Sequence, residues 1–279
     1  MKAVSLKFFL LFLILINSAH AGLERVISTK PLYEFGVVGG AGFIPDYPAS
    51  DQGRIRSIVV PQFRYRGLFL RSDEEDNFKA RILRNSVYGI DFSGGGAFSA
   101  KSDKNDARKG MRDLDWIGEL GPRFYIFLAR TEKLWVRLFF PVRLAFSSDL
   151  TNAKYQGLVF APSFNIRYYF DQTKFNSIIF SATRTHTTHQ LQEFYFEVDK
   201  RDVTAKRPEY DARSGYMGTY VGAAYLYEKD QLGIYFGVNV TSYKGAANAG
   251  SPLHKADYTT AAFVGVSYLF YQSEQRGYQ

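Results

Sequence analysis

The chain has 279 residues, no cysteine, a formal net charge of +8 and a mean hydropathy of −0.21. Without cysteine it can form neither disulfides nor thiolate metal centres, and thiol catalysis is excluded. No apolar run beyond the N-terminus reaches the roughly 20 residues that a membrane helix needs. Aromatic residues make up 17%, with 20 Tyr and 25 Phe against 2 Trp; that exceeds what a soluble enzyme core uses and matches the interfacial girdles of an outer-membrane barrel.

The first element is Lys2 and Lys7 followed by the apolar run Phe8 to Ile16 and then Asn17, Ser18, Ala19, His20 and Ala21. The run is too short to span a bilayer, and Ala19-His20-Ala21 fits a small-residue cleavage site. The expectation is a signal peptide over residues 1–21, cut after Ala21, and one domain over 22–279 with no linker. Losing Lys2 and Lys7 takes the net charge from +8 to +6. Export argues against nucleic acid as the partner of that charge and favours outer-membrane lipid and lipopolysaccharide, peptidoglycan or a periplasmic protein.

Alternation of apolar and polar residues then recurs along the chain, the period of a strand with two different faces. It is weak over Tyr33 to Phe43 and Ile58 to Arg66. Tyr88, Ile90, Phe92 and Phe98 oppose Gly89, Asp91, Ser93 and Gly95. Trp116, Leu120, Phe124, Ile126 and Leu128 oppose Glu119, Gly121, Arg123 and Tyr125. The clearest case sets Leu134, Val136, Leu138, Phe140, Val142, Leu144 and Phe146 against Trp135, Arg137, Phe139, Pro141, Arg143 and Ala145. Leu158 to Phe170 and Leu232 to Val240 repeat it, and Phe175 to Arg184, Gly215 to Tyr227 and Ala262 to Phe270 repeat it more faintly.

Tight turns are expected near Arg66-Gly67, Asn85-Ser86, Thr131-Glu132, Gln172-Thr173 and Lys229-Asp230. Longer polar loops are expected around 45–55, 72–77, 100–112, 148–154, 186–213 and 244–256. Short turns alternating with long loops describe an antiparallel transmembrane β-barrel in the cell outer membrane of a Gram-negative bacterium, with an apolar row towards lipid and a polar row inside. Twelve strands fit best. The segment split around Asp73-Glu74-Glu75-Asp76 and the alternating piece Leu191 to Val198 leave ten or fourteen open. The segment Phe263 to Phe270 resembles the C-terminal recognition strand of outer-membrane proteins, here followed by a nine-residue tail from Tyr271 to Gln279.

A search for chemistry finds little. The expected mature chain carries His186, His189 and His254; His186 and His189 could offer two metal ligands but sit in a Thr-rich loop without a suitably spaced carboxylate, and a hydrolase at the barrel rim using His186 stays open only as a third reading, so no enzyme, metal or cofactor is expected. Gly39-Gly40-Ala41-Gly42 sits in a strand pattern with no helix after it, which rules out a phosphate loop. Glu34, Arg64, Asp91, Glu119, Arg123, Arg137, Arg143 and Arg167 all fall on the inward row. They read either as an eyelet selecting anionic solutes or, preferred here, as a network of paired charges that fills a narrow lumen.

Specific residues resemble a family. Arg108-Lys109-Gly110-Met111-Arg112-Asp113-Leu114-Asp115-Trp116, continuing to Glu119-Leu120-Gly121-Pro122, is similar to the loop-into-strand signature of the MltA-interacting protein (MipA)/OmpV family. Asp46-Tyr47-Pro48-Ala49-Ser50-Asp51, Val60-Pro61 with Tyr65-Arg66-Gly67, and Phe194 to Val198 with Pro208 to Ala212 and Gly215 resemble further segments of it. The chain departs from the pattern at Ala49, where glycine is preferred, at Arg112, where proline is usual, and at Glu197, where glycine is common. The resemblance implies an outer-membrane barrel and, for the family's namesake, a scaffold joining a murein-cleaving lytic transglycosylase to a murein synthase. Arg108, Lys109, Asp113 and Asp115 are the candidate partner-binding residues of the signature loop.

Overall fold

The computed structural model describes residues 27–67, 70–73, 76–80, 83–84, 87–149 and 151–278, with side chains over 30–67, 87–149 and 151–278. The expected signal peptide lies outside the described residues. In chain order the strands are β1 (Ile27–Pro31), β2 (Tyr33–Pro45), β3 (Gly53–Arg66), β4 (Leu70–Asp73), β5 (Asp76–Ala80), β6 (Leu83–Arg84), β7 (Tyr88–Ala97), β8 (Trp116–Arg130), β9 (Leu134–Ser148), β10 (Ala153–Phe160), β11 (Ser163–Tyr169) and β12 (Asn176–Thr187). A helix, α1 (His189–Phe196), precedes β13 (Gly215–Lys229), β14 (Leu232–Ser242), β15 (Tyr258–Gln272) and β16 (Arg276–Tyr278).

All pairings are antiparallel, and one sheet runs β5-β4-β3-β2-β15-β14-β13-β12-β10-β9-β8-β7-β6, with β11 also between β9 and β12. The first long strand, β2, pairs with the last, β15, through Gly36↔Leu269 and Phe43↔Ala262. The two ends of the path, β5 and β6, are separated only by residues 81 and 82. The sheet therefore comes back upon itself, which removes free edges from a structure that has no water to satisfy them in lipid. β10 and β11 act as one strand interrupted at Ala161-Pro162, because both pair with β9 and β12.

The two rows of β9 separate as the alternation requires. Trp135, Arg137, Phe139, Ala145 and Ser147 are buried, while Val142, Leu144 and Phe146 are exposed on the outside. Phe35, Phe124, Phe160, Phe236 and Tyr268 join them on an outer surface that is apolar on strand after strand. In water such a surface would be an aggregation site; against hydrocarbon it is the satisfied state.

One end of the barrel carries the short turns. Thr131–Lys133 joins β8 to β9, and Asp230 (φ 52°) turns β13 into β14. The first and last described strands meet here, with β1 paired to β16 and Leu32 N–H donating to the Gln275 carbonyl at 2.7 Å. The tail after Phe270 is thus ordered backbone: Tyr271 and Gln272 extend β15, and Gly277 crosses so close to Arg66 that a Cβ would lie 2.6 Å from the Arg66 Cβ.

The other end carries the long loops, and they are folded. Tyr47, Ala49, Ala100, Leu114, Leu191, Phe196, Val198 and Leu253 come from four different loops and form one buried apolar cluster with the strand ends Ile117, Ala145 and Val159. The piece Leu191 to Val198, an alternative strand in the sequence, belongs mostly to α1. Its buried residues Leu191, Gln192, Tyr195 and Phe196 follow helical spacing, and this face covers the barrel rim. Thr188 precedes the helix in an extended conformation and accepts Leu158 N–H on its hydroxyl at 2.9 Å, fixing the helix to β10.

Candidate functional site: the lumen and its two ends

The inward row of each strand brings the expected charges together, and they pair. Arg123 lies on β8 directly opposite Asp91 on β7, and its Nε and Nη2 donate to the two carboxylate oxygens at 2.9 Å each. The guanidinium also stacks 4.5 Å from the Phe139 ring centroid. Glu119 pairs with Arg143 at 2.9 Å, and the missing side chain at Gly95 makes room, since a Cβ there would stand 2.8 Å from the carboxylate. Arg137 donates to the Asn165 carbonyl oxygen at 3.1 Å and lies against Phe127, Trp135 and Phe139. A bidentate arginine–carboxylate pair in a low-dielectric interior is a fixed object, and it leaves little charge for a passing solute.

Nearer the turn end, Glu34 accepts from Arg66 at 2.6 Å and from Gln272 at 2.9 Å. Glu228 stands between Arg64 at 3.1 Å and Arg167 at 3.8 Å and accepts the Tyr235 hydroxyl at 3.1 Å. The eight expected charges lie on inward rows of their strands, and Arg66 and Glu228, absent from that set, join them. Arg66 stands where the expected strand Ile58 to Arg66 meets the expected turn Arg66-Gly67, and Glu228 ends a row in which Gly222, Ala224 and Leu226 show no polar pattern. Together these groups line a cavity of about 450 Å³ with Lys30, Lys174 and Asp230 at the turn end.

The loop end is organised around Asp46, which is buried. Arg54 donates to both of its oxygens at 2.7 and 2.6 Å, Arg56 to one at 3.2 Å and Asn105 to the other at 3.0 Å. Arg54 and Arg56 share the inward row of β3, which begins at Gly53, ahead of the alternation expected from Ile58. Beside them the Tyr47 hydroxyl donates to the Leu253 carbonyl at 2.8 Å, and burial pushes this phenol's pKa up. Ala49 adopts φ 62°, the left-handed region where glycine carries no penalty, and its carbonyl receives Lys255 and Ala256 N–H at 2.9 Å each.

The signature loop builds this cap. Arg108 is buried, its Nη1 donating to the Tyr195 carbonyl at 3.1 Å and its guanidinium 5.6 Å from the Tyr47 ring centroid. Desolvation lowers its pKa to about 10. Arg207 clamps the same loop from the far side by donating to the Ala107, Lys109 and Asp202 carbonyls at 2.9, 3.2 and 2.8 Å. Asp113 accepts Lys101 Nζ and Ser102 N–H at 2.7 Å each, which holds its carboxyl below the ordinary range. Of the four candidate partner-binding residues, Lys109 is exposed, Asp113 and Asp115 are half-buried, and Arg108 is spent inside the cap.

The histidines stand apart. His186 accepts from Arg184 Nε at 3.3 Å, His189 faces Glu193 at 3.1 Å, and the buried side chain of His254 lies 3.5 Å from Asp257. No nucleophile is held by any of them among the described residues.

Comparison with known proteins gives two kinds of likeness. The family described as "MltA-interacting protein MipA" matches residues 37–270. Among solved structures, the NanC porin aligns over 84% of this chain and 98% of its own, with 9% identity and a TM-score of 0.39. A bacterial polysaccharide outer membrane secretin aligns over 88% and 100%, with 9% identity and a TM-score of 0.40. The outer membrane protease OmpT from Escherichia coli aligns over 90% and 99%, with 9% identity and a TM-score of 0.28. No curated protein matches the sequence significantly.

Proposed function

Because the chain belongs to the MltA-interacting protein MipA family, we propose that it is a non-enzymatic outer-membrane barrel that serves murein remodelling as a scaffold, bringing a lytic transglycosylase and a murein synthase together at its periplasmic end. The observation that carries this reading is the loop-end cap. Four loops with their own apolar core and a buried Asp46 network cover that mouth, while the inward arginines are engaged by carboxylates, amides and rings. A barrel built this way offers its surroundings surfaces more than a conduit.

Bacterial barrels keep their short turns and both termini on the periplasmic side. In that orientation the β1–β16 ribbon, Lys30 and the turn-end cavity face murein and its enzymes, and the signature loop faces outward. Lys109, Asp113 and Asp115 would then meet lipopolysaccharide rather than a murein enzyme. The test is affinity capture with the detergent-solubilised barrel. A murein hydrolase or synthase should be retained, and replacing Lys30 and Arg276 by Glu, at the ribbon, should release it; recovery of neither enzyme ends the scaffold reading.

The alternative, a narrow channel for small anionic solutes, rests on the turn-end cavity, whose lining holds five cationic and three acidic side chains. Planar-bilayer conductance altered by Arg137→Ala or Arg143→Ala would favour it, and an electrically silent barrel would remove it.

A further inference from the structure

The outward rows of four neighbouring strands change character at one line. On β12 the row runs Ile178, Phe180, Ala182 and then Arg184; on β13 Ala223 and Val221 give way to Thr219; on β14 Val238 and Val240 give way to Ser242; on β15 Ala262 and Thr260 lead to Tyr258. Register sets Arg184, Thr219, Ser242 and Tyr258 side by side across the sheet. An arginine on the lipid side of a barrel wall is costly at the bilayer midplane and close to neutral at the interface, so this line marks the edge of the hydrocarbon at the loop end.

Two cations stand at the ends of the line, and neither has a carboxylate among the described residues. Arg184 is exposed; its Nε donates to His186 Nε2 at 3.3 Å and its guanidinium lies 4.3 Å from the Tyr216 ring centroid, which leaves both terminal nitrogens without an acceptor among the described residues. Lys244, exposed just beyond β14, holds its Nζ 5.1 Å from the Tyr258 ring centroid. The rings fix the two cations without neutralising them. Inside the barrel, by contrast, Arg64, Arg123 and Arg143 are each matched to a carboxylate. β12 and β15 lie three strand spacings apart, about 14 Å, a span that one phosphate cannot bridge and a disaccharide phosphorylated at both ends can.

Towards the middle of the wall the same four strands are dented. Phe180, Ala223, Val238, Ala262 and Phe43 are register partners in one row. With alanine at two of the three middle places, an outward depression of about 460 Å³ forms between the two phenylalanines. The Tyr225–Phe236 pair stands across its foot. Four residues along the strands separate the alanines from the polar line, about 13 Å, well within reach of an acyl chain hanging from a headgroup held at that line. In hydrocarbon, filling the depression gains contact rather than hydrophobic transfer, so shape seats the chain and the cations above select the molecule that carries it.

We propose that this face binds one molecule of the acylated, doubly phosphorylated disaccharide that anchors lipopolysaccharide, with its phosphates on Arg184 and Lys244 and one acyl chain in the Ala223–Ala262 depression. The site requires the loop end to face outward, as in the orientation adopted above, and no murein partner.

The full chain in detergent is titrated with lipid A carrying two phosphates, with the same lipid stripped of both, and with phosphatidylglycerol, and bound lipid is counted by native mass spectrometry. One molecule of the doubly phosphorylated lipid should be held, about tenfold more tightly than either comparison lipid. Arg184→Ala and Lys244→Ala should each weaken it roughly tenfold, and Ala223→Trp, which fills the depression and leaves both cations in place, should do the same. Each variant is first checked for heat-modifiable gel mobility, and capture of a murein enzyme should be unchanged in all three. Inorganic phosphate in large excess should leave the lipid bound. Equal retention of either comparison lipid, displacement by inorganic phosphate, or unaltered binding in the folded variants overturns the proposal. Because the chain has no cysteine, Ala223→Cys tests the rival occupant: disulfide-linked dimers formed in vesicles would assign the depression to a second copy of the chain and overturn the lipid site.

Discussion

The two ends of this barrel are built from opposite materials. The loop end is a small hydrophobic core, Tyr47, Leu114, Leu191, Phe196, Val198 and Leu253, pinned by one carboxylate. The turn end is almost the reverse, a cavity in which Glu34 and Glu228 are shared among Arg64, Arg66 and Arg167. Apolar packing excludes water and forms a plug with few internal openings. An ion-pair network tolerates water and stays accessible from its own side. The difference leaves the loop end closed and the turn end accessible.

The sharpest way to break this contrast is Asp46→Ala. Removing the carboxylate strands Arg54 and Arg56 and frees Asn105, and loss of one member of a buried charged cluster costs about 3–5 kcal/mol. Urea titration in micelles, read by the folded-to-unfolded gel shift, should show that loss. Because the damage is local to the cap, the variant should also gain bilayer conductance if it retains its barrel. A variant as stable and as silent as the parent would mean that the cap does not close the mouth.

Glu228→Gln is the matching change at the turn end. It removes the charge facing Arg64 and Arg167 while keeping an acceptor for the Tyr235 hydroxyl, so the expected cost is smaller, about 2–3 kcal/mol for lost hydrogen bonds to charged groups. The cap should stay shut and conductance unchanged. Equal conductance gains in the two variants would erase the distinction between the ends.

How much of this was readable in the chain follows the same division. The wall was legible because lipid and lumen impose a period of two on every strand, and β9 shows it residue by residue. The inward charges Asp91, Arg123, Glu119 and Arg143 were legible for the same reason, though not their pairing, which depends on register between strands far apart in sequence. The cap was not legible. Its contacts join residue 46 to 105, 108 to 195 and 192 to 248, and long loops carry no period that would announce such meetings. Leu191 to Val198 shows the hazard: over so short a stretch a strand and one face of a helix read alike, and packing on the rim decides for the helix.

A gentler probe of the cap is Ala49→Gly. Ala49 is fully buried and held at φ 62° by the two N–H groups on its carbonyl. A non-glycine residue in that region carries about 1–2 kcal/mol of strain, part of which is offset because glycine gains freedom in the unfolded chain. The variant should therefore be more stable, by about 1 kcal/mol, with conductance unchanged. A loss of stability would show that the Ala49 methyl packs better than its backbone is strained.

The smallest effect expected concerns the surface of the cap. The Asp113 carboxyl is lowered from its ordinary value of 3.8, chiefly by the hydrogen bond from Lys101 and then by Ser102 N–H. A carboxylate with a depressed folded-state pKa contributes stability above its unfolded value, and that contribution disappears as the pH falls through the folded value. Lowering the pH from 5 to 3 should therefore loosen the 98–115 loop first, seen as earlier proteolysis there, and Asp113→Asn should abolish this component. The pair is solvent-exposed, 73% at Lys101 and 40% at Asp113, so added salt should weaken it as well. The Asp46 cluster, with its side chain fully buried, should ignore the same salt, and only a cap held mainly by surface charge would respond to salt throughout.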